Sequence, residues 1–87
     1  MRNQLYAALK HFMRCELLKS RTALNLSQES MAHILSMRTR AYTDLESGKT
    51  CCGLITFLLF LRHCCADRQA FLNKLFDLLD SFESRVA

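Results

Sequence analysis

Along residues 4–22 apolar side chains return every third or fourth position. Leu5, Ala8, Leu9, Phe12 and Met13 fall on one face, the mark of an amphipathic helix. Glu16 interrupts the stripe, and Leu17 and Leu18 shift it sideways. This predicts either a bend there or two ends that pack against different neighbours. A second helix opens in "LNLSQESMAHIL", with Met31, Ala32, Ile34 and Leu35 as its apolar face. Ser27 stands where a hydroxyl can accept one of the orphan N–H groups of the first turn. "SMR" interrupts, and a third helix runs from about Arg38 to Ser47. Gly48 is placed as its stop, where the backbone commonly turns to positive φ. "KTCCG" is a loop. A fourth helix, roughly Leu54 to Cys64, is apolar on nearly every side. A fifth, about Asp67 to Ser84, is cleanly amphipathic: Phe71, Leu72, Leu75, Phe76, Leu78, Leu79 and Phe82 fill less than half its circumference.

Composition agrees with an all-α domain. Pro is absent, Gly occurs twice, and apolar residues make up 51% of 87. Few breakers and a real apolar fraction disfavour the turn-rich sandwiches and barrels. The length allows one domain, residues 1–87. No long apolar centre marks a secretory signal in "MRNQLYAALKHF". The longest apolar run, "CCGLITFLLFL", falls far short of the roughly 20 residues that span a bilayer. A cytoplasmic chain without membrane association is expected.

Charge and cysteines narrow the function classes. Residues 1–50 hold eight Lys/Arg and four Asp/Glu, and residues 51–87 hold four of each, so the whole net charge of +4 lies in the first half. A basic half suggests a polyanionic partner. Cys15, Cys51, Cys52, Cys64 and Cys65 are odd in number and include two adjacent pairs, a poor disulfide framework that suits a reducing compartment. "CC" and "HCC" lack the usual spacing of structural zinc ligands, so no metal or other cofactor is expected. His11, His33 and His63 have no paired nucleophile. Without a nucleophile–base set or a phosphate-cradling glycine loop, the chain is not expected to be an enzyme.

A short second helix, a tight turn and a third helix stand in helix-turn-helix order. "LSQESMAHILSMRTRAYTDLESGK" resembles the phage-repressor-type (Cro/C1-type, also called XRE) helix-turn-helix family. Leu26, Ser27, Gln28, Glu29, Ala32, Leu35, Leu45, Glu46, Gly48 and Lys49 fall on the family's places without a gap, and Met31, Met37 and Tyr42 are apolar where the family is. The resemblance covers about residues 17–64, leaving the first sixteen residues and the last helix outside. Three positions depart from it. Ser36 replaces the turn glycine, Arg38 replaces the Ser/Thr cap of the third helix, and "CC" replaces a loop that usually holds proline.

The resemblance implies a five-helix, repressor-like DNA-binding domain with the helix-turn-helix at helices two and three. By it, Gln28 touches a phosphate or braces a side chain of the third helix, and Thr39, Arg40, Thr43 and Asp44 touch base edges. Those four residues share one face, opposite Tyr42 and Leu45. Arg40 can donate a bidentate pair to guanine, while Arg38 or Lys49 can hold phosphate. The plain alternative is a solvated face on a packing helix. Arg21, seven residues before Gln28, is expected to pair with Glu46 as a structural ion pair, as an arginine and glutamate often do in the family.

Ile55 and Leu59 lie one turn apart on the fourth helix, where relatives are usually polar, so something should cover them. The fifth helix or a second subunit would serve. A two-fold dimer is favoured, formed or supported by Ile55, Leu59, Phe71, Leu75, Leu78 and Phe82, because large exposed apolar patches are rare on monomers. The expected function is a small homodimeric transcriptional regulator that reads a pseudo-palindromic operator in double-stranded DNA. The alternative is an interaction module that kept the fold and binds a protein partner, such as a toxin or another regulator, with weak or no DNA binding.

Overall fold

The computed structural model describes residues 2–86. The chain is all-helical, with five helices and no strand among those residues: α1 (Arg2–Ala23), α2 (Gln28–Ile34), α3 (Thr39–Glu46), α4 (Leu54–His63) and α5 (Arg68–Val86). At 1.5 Å per residue, the 22 residues of α1 reach about 33 Å, which accounts for much of the long dimension of a body measuring 42 × 26 × 20 Å. No helix among the described residues is long and apolar enough to cross a membrane.

The shift in the first apolar stripe has a simple cause. α1 runs unbroken through Glu16, and its two ends meet different neighbours. Phe12 packs on Phe71 of α5, with ring centroids 5.5 Å apart, and Arg21 reaches Glu46 of α3. Glu16 is turned toward α5, where its carboxylate lies 3.7 Å from Lys74 Nζ. The polar residue therefore belongs to the packed side of the helix.

The most deeply buried large side chains are Tyr42, Phe60, Leu17, Met31 and Leu35, drawn from the first four helices and the residue that ends α2. α5 enters this core through Phe71, whose ring lies 5.3 Å from Phe60 and 6.1 Å from Phe57. Asp67 caps α5 by accepting from the Ala70 N–H, and the Arg68 side chain donates to the Leu61 carbonyl at the end of α4.

This packing corrects part of the expected dimer surface. Phe71, at 4% exposure, and Phe82 are buried within the chain, so an intramolecular core has taken them. Leu59, Leu75 and Leu78 are half-buried. Ile55 alone of the expected set is fully presented, at 73% exposure, with Leu54 and Leu58 exposed beside it. α4 is apolar on nearly every side, and the described residues cover only one of its sides.

α1, α2 and α3 end in the same way. The residues just past them, Asn25, Ser36 and Gly48, have φ of 56°, 56° and 84°. Each closes with two main-chain bonds: Asn25 N–H to Thr22 and Leu26 N–H to Arg21, Ser36 to His33 and Met37 to Ala32, Gly48 to Leu45 and Lys49 to Asp44. These are Schellman closures, which satisfy the last carbonyls of each helix. Starts are less uniform. Ser27 Oγ accepts from the Ser30 N–H at 3.0 Å, as expected, whereas Arg38 gives α3 no side-chain cap.

Ser36 holds the left-handed conformation with a Cβ, which is strained relative to glycine. Ser36→Gly should therefore stabilise the chain by about 0.5–1 kcal/mol, raising the melting temperature by several degrees in a domain of this size. Chemical denaturation decides it: a variant no more stable than the parent would show that the serine is unstrained there.

Candidate nucleic-acid interface

α3 separates its residues cleanly. Tyr42 and Leu45 point inward and are buried, while Thr39 and Arg40 are exposed, and Thr43 and Asp44 are half-exposed. Arg40 is 83% exposed, with its Nε 3.8 Å from Asp44 Oδ1, a loose i, i+4 pair. Arg38 stands exposed just before the helix. Lys49 stands just after it, placed by its N–H bond to the Asp44 carbonyl at 2.9 Å. The expected set thus lies on α3 and its two ends, with Gln28 behind it at the start of α2.

Behind this face is a buried polar network centred on Glu46, which is 8% exposed. Arg21 Nε donates to Oε2 and Nη2 donates to Oε1, both at 2.8 Å, a bidentate fork across 25 residues of sequence. The third arm, Nη1, donates to the Leu26 carbonyl at 3.0 Å, which ties the α1–α2 connection into the same pair. Gln28 Nε2 donates to Glu46 Oε1 at 3.1 Å, and the Tyr42 hydroxyl donates to Oε2.

The carboxylate also orients Gln28. Because Nε2 faces Glu46, the amide oxygen faces α3 and lies 3.2 Å from the Thr43 hydroxyl. That hydroxyl is also 2.9 Å from the Thr39 carbonyl, and its single proton serves one acceptor at a time. Gln28 therefore braces a side chain of α3, the second of its two expected roles.

Electrostatics follow from these bonds. Burial by itself would push the Glu46 carboxyl up, but donation from Arg21, Tyr42 and Gln28 outweighs it and holds the group at about 2. The hydrogen bond to Glu46 raises Arg21, and burial followed by the same carboxylate raises the Tyr42 phenol. At neutral pH the network is one ion pair with neutral donors around it.

Two contributions escaped the sequence reading. Tyr42 was expected to act as an apolar packing residue, yet its hydroxyl completes the carboxylate's partners; the i, i+4 spacing to Glu46 was the available signal. The Arg21 bond to Leu26 depends on the left-handed Asn25, which no spacing announces. Three of the five cysteines have thiols that burial makes less acidic. All five are free, and burial pushes the Cys52 thiol up to about 11 and raises Cys64 and Cys65 as well. Such thiols stay protonated near neutrality and are poor nucleophiles. The described residues contain no group of three or more His, Cys, Asp or Glu side chains placed to hold a metal ion.

Compared with known proteins, the chain matches no family model, no curated sequence and no solved structure, so the meaning of this face rests on its own geometry and chemistry.

Proposed function

We propose that the chain is a sequence-specific, double-stranded-DNA-binding transcriptional regulator of the phage-repressor type, with α2 and α3 as its helix-turn-helix and α3 as the helix that enters the major groove. One observation carries the reading. A short helix offers Thr39, Arg40, Thr43 and Asp44 outward, and a buried network through Arg21, Gln28, Tyr42 and Glu46 fixes it from behind. Readers of base edges need a rigid platform with polar tips, and cations at its ends to grip phosphates. Arg38, Arg40 and Lys49 supply the cations.

Asp44 is compatible with this role. It can accept from a cytosine amino group, or it can steady the fork of Arg40 from 3.8 Å away. Either way it trades non-specific attraction for discrimination. The exposed apolar ridge of Leu54, Ile55 and Leu58 supplies the contact for a homodimer, which would set two recognition helices about one DNA turn apart, ~34 Å. The same ridge is what favours the second reading, a module whose partner is another protein such as a toxin.

Selection of bound duplexes from a random-sequence pool at moderate salt tests the proposal and yields a site. On that site Arg40→Ala should lose about 1–3 kcal/mol and blur one base position. Lys49→Ala should weaken all sequences alike, and Asp44→Ala should raise binding to random DNA while lowering preference for the selected site. Sedimentation of the same samples should give twice the chain mass. If Arg40→Ala and Lys49→Ala leave binding unchanged at low salt, α3 is a packing helix and the protein-partner reading takes over. A clean monomer at micromolar concentration would remove the dimer.

A further inference from the structure

Arg14 and Arg21 are seven residues apart, two turns of helix, and so lie on one stripe of α1. Both turn toward the C-terminal end of α3, yet the chain treats them differently. Arg21 has every donor arm engaged. Arg14 has its Nε buried without a hydrogen-bond partner among the described residues, and none of the ion pairs found there includes it. Orphaned buried donors are uncommon in native proteins and call for a specific reason.

The path of the Arg14 side chain points to one. A Cβ built on Gly48 would lie 3.2 Å from Arg14 Cδ and 3.8 Å from Nε. The arginine therefore crosses directly over the glycine that ends α3, through space that a side chain there would crowd. Gly48 serves twice, once for its φ of 84° and once as a gap in the wall. Crossing at this point brings the guanidinium to the Gly48–Lys49 corner. The Gly48 and Lys49 N–H groups are already spent on Leu45 and Asp44, so the main chain offers an anion nothing there. What the corner offers is charge: an exposed lysine beside Gly48, and over Gly48 an arginine that none of the ion pairs among the described residues includes. Nε itself is closed to solvent, but the residue as a whole is only partly buried, so an anion would meet the outer nitrogens of the guanidinium.

We infer that Arg14 and Lys49 together seat one backbone phosphate of DNA, with Arg14 led to it across Gly48. The inference rests on the DNA-binding reading and adds to it a contact from α1, outside the helix-turn-helix pair. Arginine suits the role because its planar fork grips phosphate oxygens with two donors, whereas lysine acts as a point charge. Such a contact positions the protein on the duplex and carries no base preference.

The test uses the full chain and a mixed-sequence duplex of about 20 base pairs, two helical turns. Affinity is measured by fluorescence anisotropy over a series of salt concentrations for the parent, Arg14→Met and Arg14→Lys. Each neutralised phosphate contributes about 0.9 to the slope of log affinity against log salt. Arg14→Met should flatten that slope by about 0.9 and weaken random and selected sequences by the same factor, and Arg14→Lys should keep most of the slope. Melting curves confirm that both variants fold. A merely structural arginine would lower the melting temperature and leave the slope unchanged; that result, with the parent binding DNA, overturns the assignment and spares the wider reading. Failure of the parent to bind at low salt would end both.

Discussion

Arg21→Met should destabilise the chain by about 3–5 kcal/mol, a large share of what a domain of this size can lose. The reason is what the substitution leaves behind. Glu46 keeps its charge in a site with 8% exposure and loses both arms of the fork, while Tyr42 and Gln28 remain as neutral donors. Two neutral donors do not replace a cation for a desolvated carboxylate. The Leu26 carbonyl loses its partner as well. Glu46→Leu alone should do less harm, because the Arg21 side chain is 21% exposed and can turn part of its charge to water. The double variant Arg21→Met with Glu46→Leu should then be clearly more stable than Arg21→Met alone. Urea denaturation of the four proteins closes the cycle. A coupling near zero, with two small additive losses, would show that the network adds nothing to stability beyond its separate parts.

The second large effect is on acid stability. Glu46 is held at about 2, below its ordinary 4.5. A carboxyl with a lowered value in the folded state binds its proton more readily once unfolded. Its contribution is therefore complete above about pH 5 and drains away as pH falls from there toward 2. The difference corresponds to roughly 3 kcal/mol. In Glu46→Gln the neutral amide has no proton to gain, so this variant should start less stable and lose much less over the same window. Urea midpoints at intervals between pH 7 and 2 provide the comparison. Equal losses in parent and variant would show that Glu46 is not the source of the acid sensitivity.

How far the sequence led depended on how local the cause was. Helix positions were legible because period, cap and stop signals act within a turn: Ser27 caps α2, and Gly48 ends α3 at positive φ. The Arg21–Glu46 pair was reached only through a family resemblance, since 25 residues separate them and no periodicity connects them. Less legible were the partners of the apolar faces. The stripe from Phe71 to Phe82 announced that it would be covered but not by what, and the chain's own core covers Phe71 and Phe82. α4 gave the opposite difficulty. With apolar residues on nearly every side it had no inward face to read, so the exposure of Leu54 and Leu58 beside Ile55 could not be foreseen. The path of Arg14 over Gly48 was not legible because it depends on the missing Cβ of a residue 34 positions away.

The three matched closures after α1, α2 and α3 separate what the protein is from what it touches. Each corner is held by main-chain bonds around one left-handed residue, so the outward side chains between corners are not needed to make the turns. Thr43 and Gln28 are tied into the network behind α3, but Thr39, Arg40 and Lys49 are not. Exchanges at those three positions should leave folding nearly untouched while rewriting the surface. A gene for such a chain can drift at these few codons while its product keeps the same shape. Under the reading proposed above, a few outward letters are what would set one binding preference apart from another.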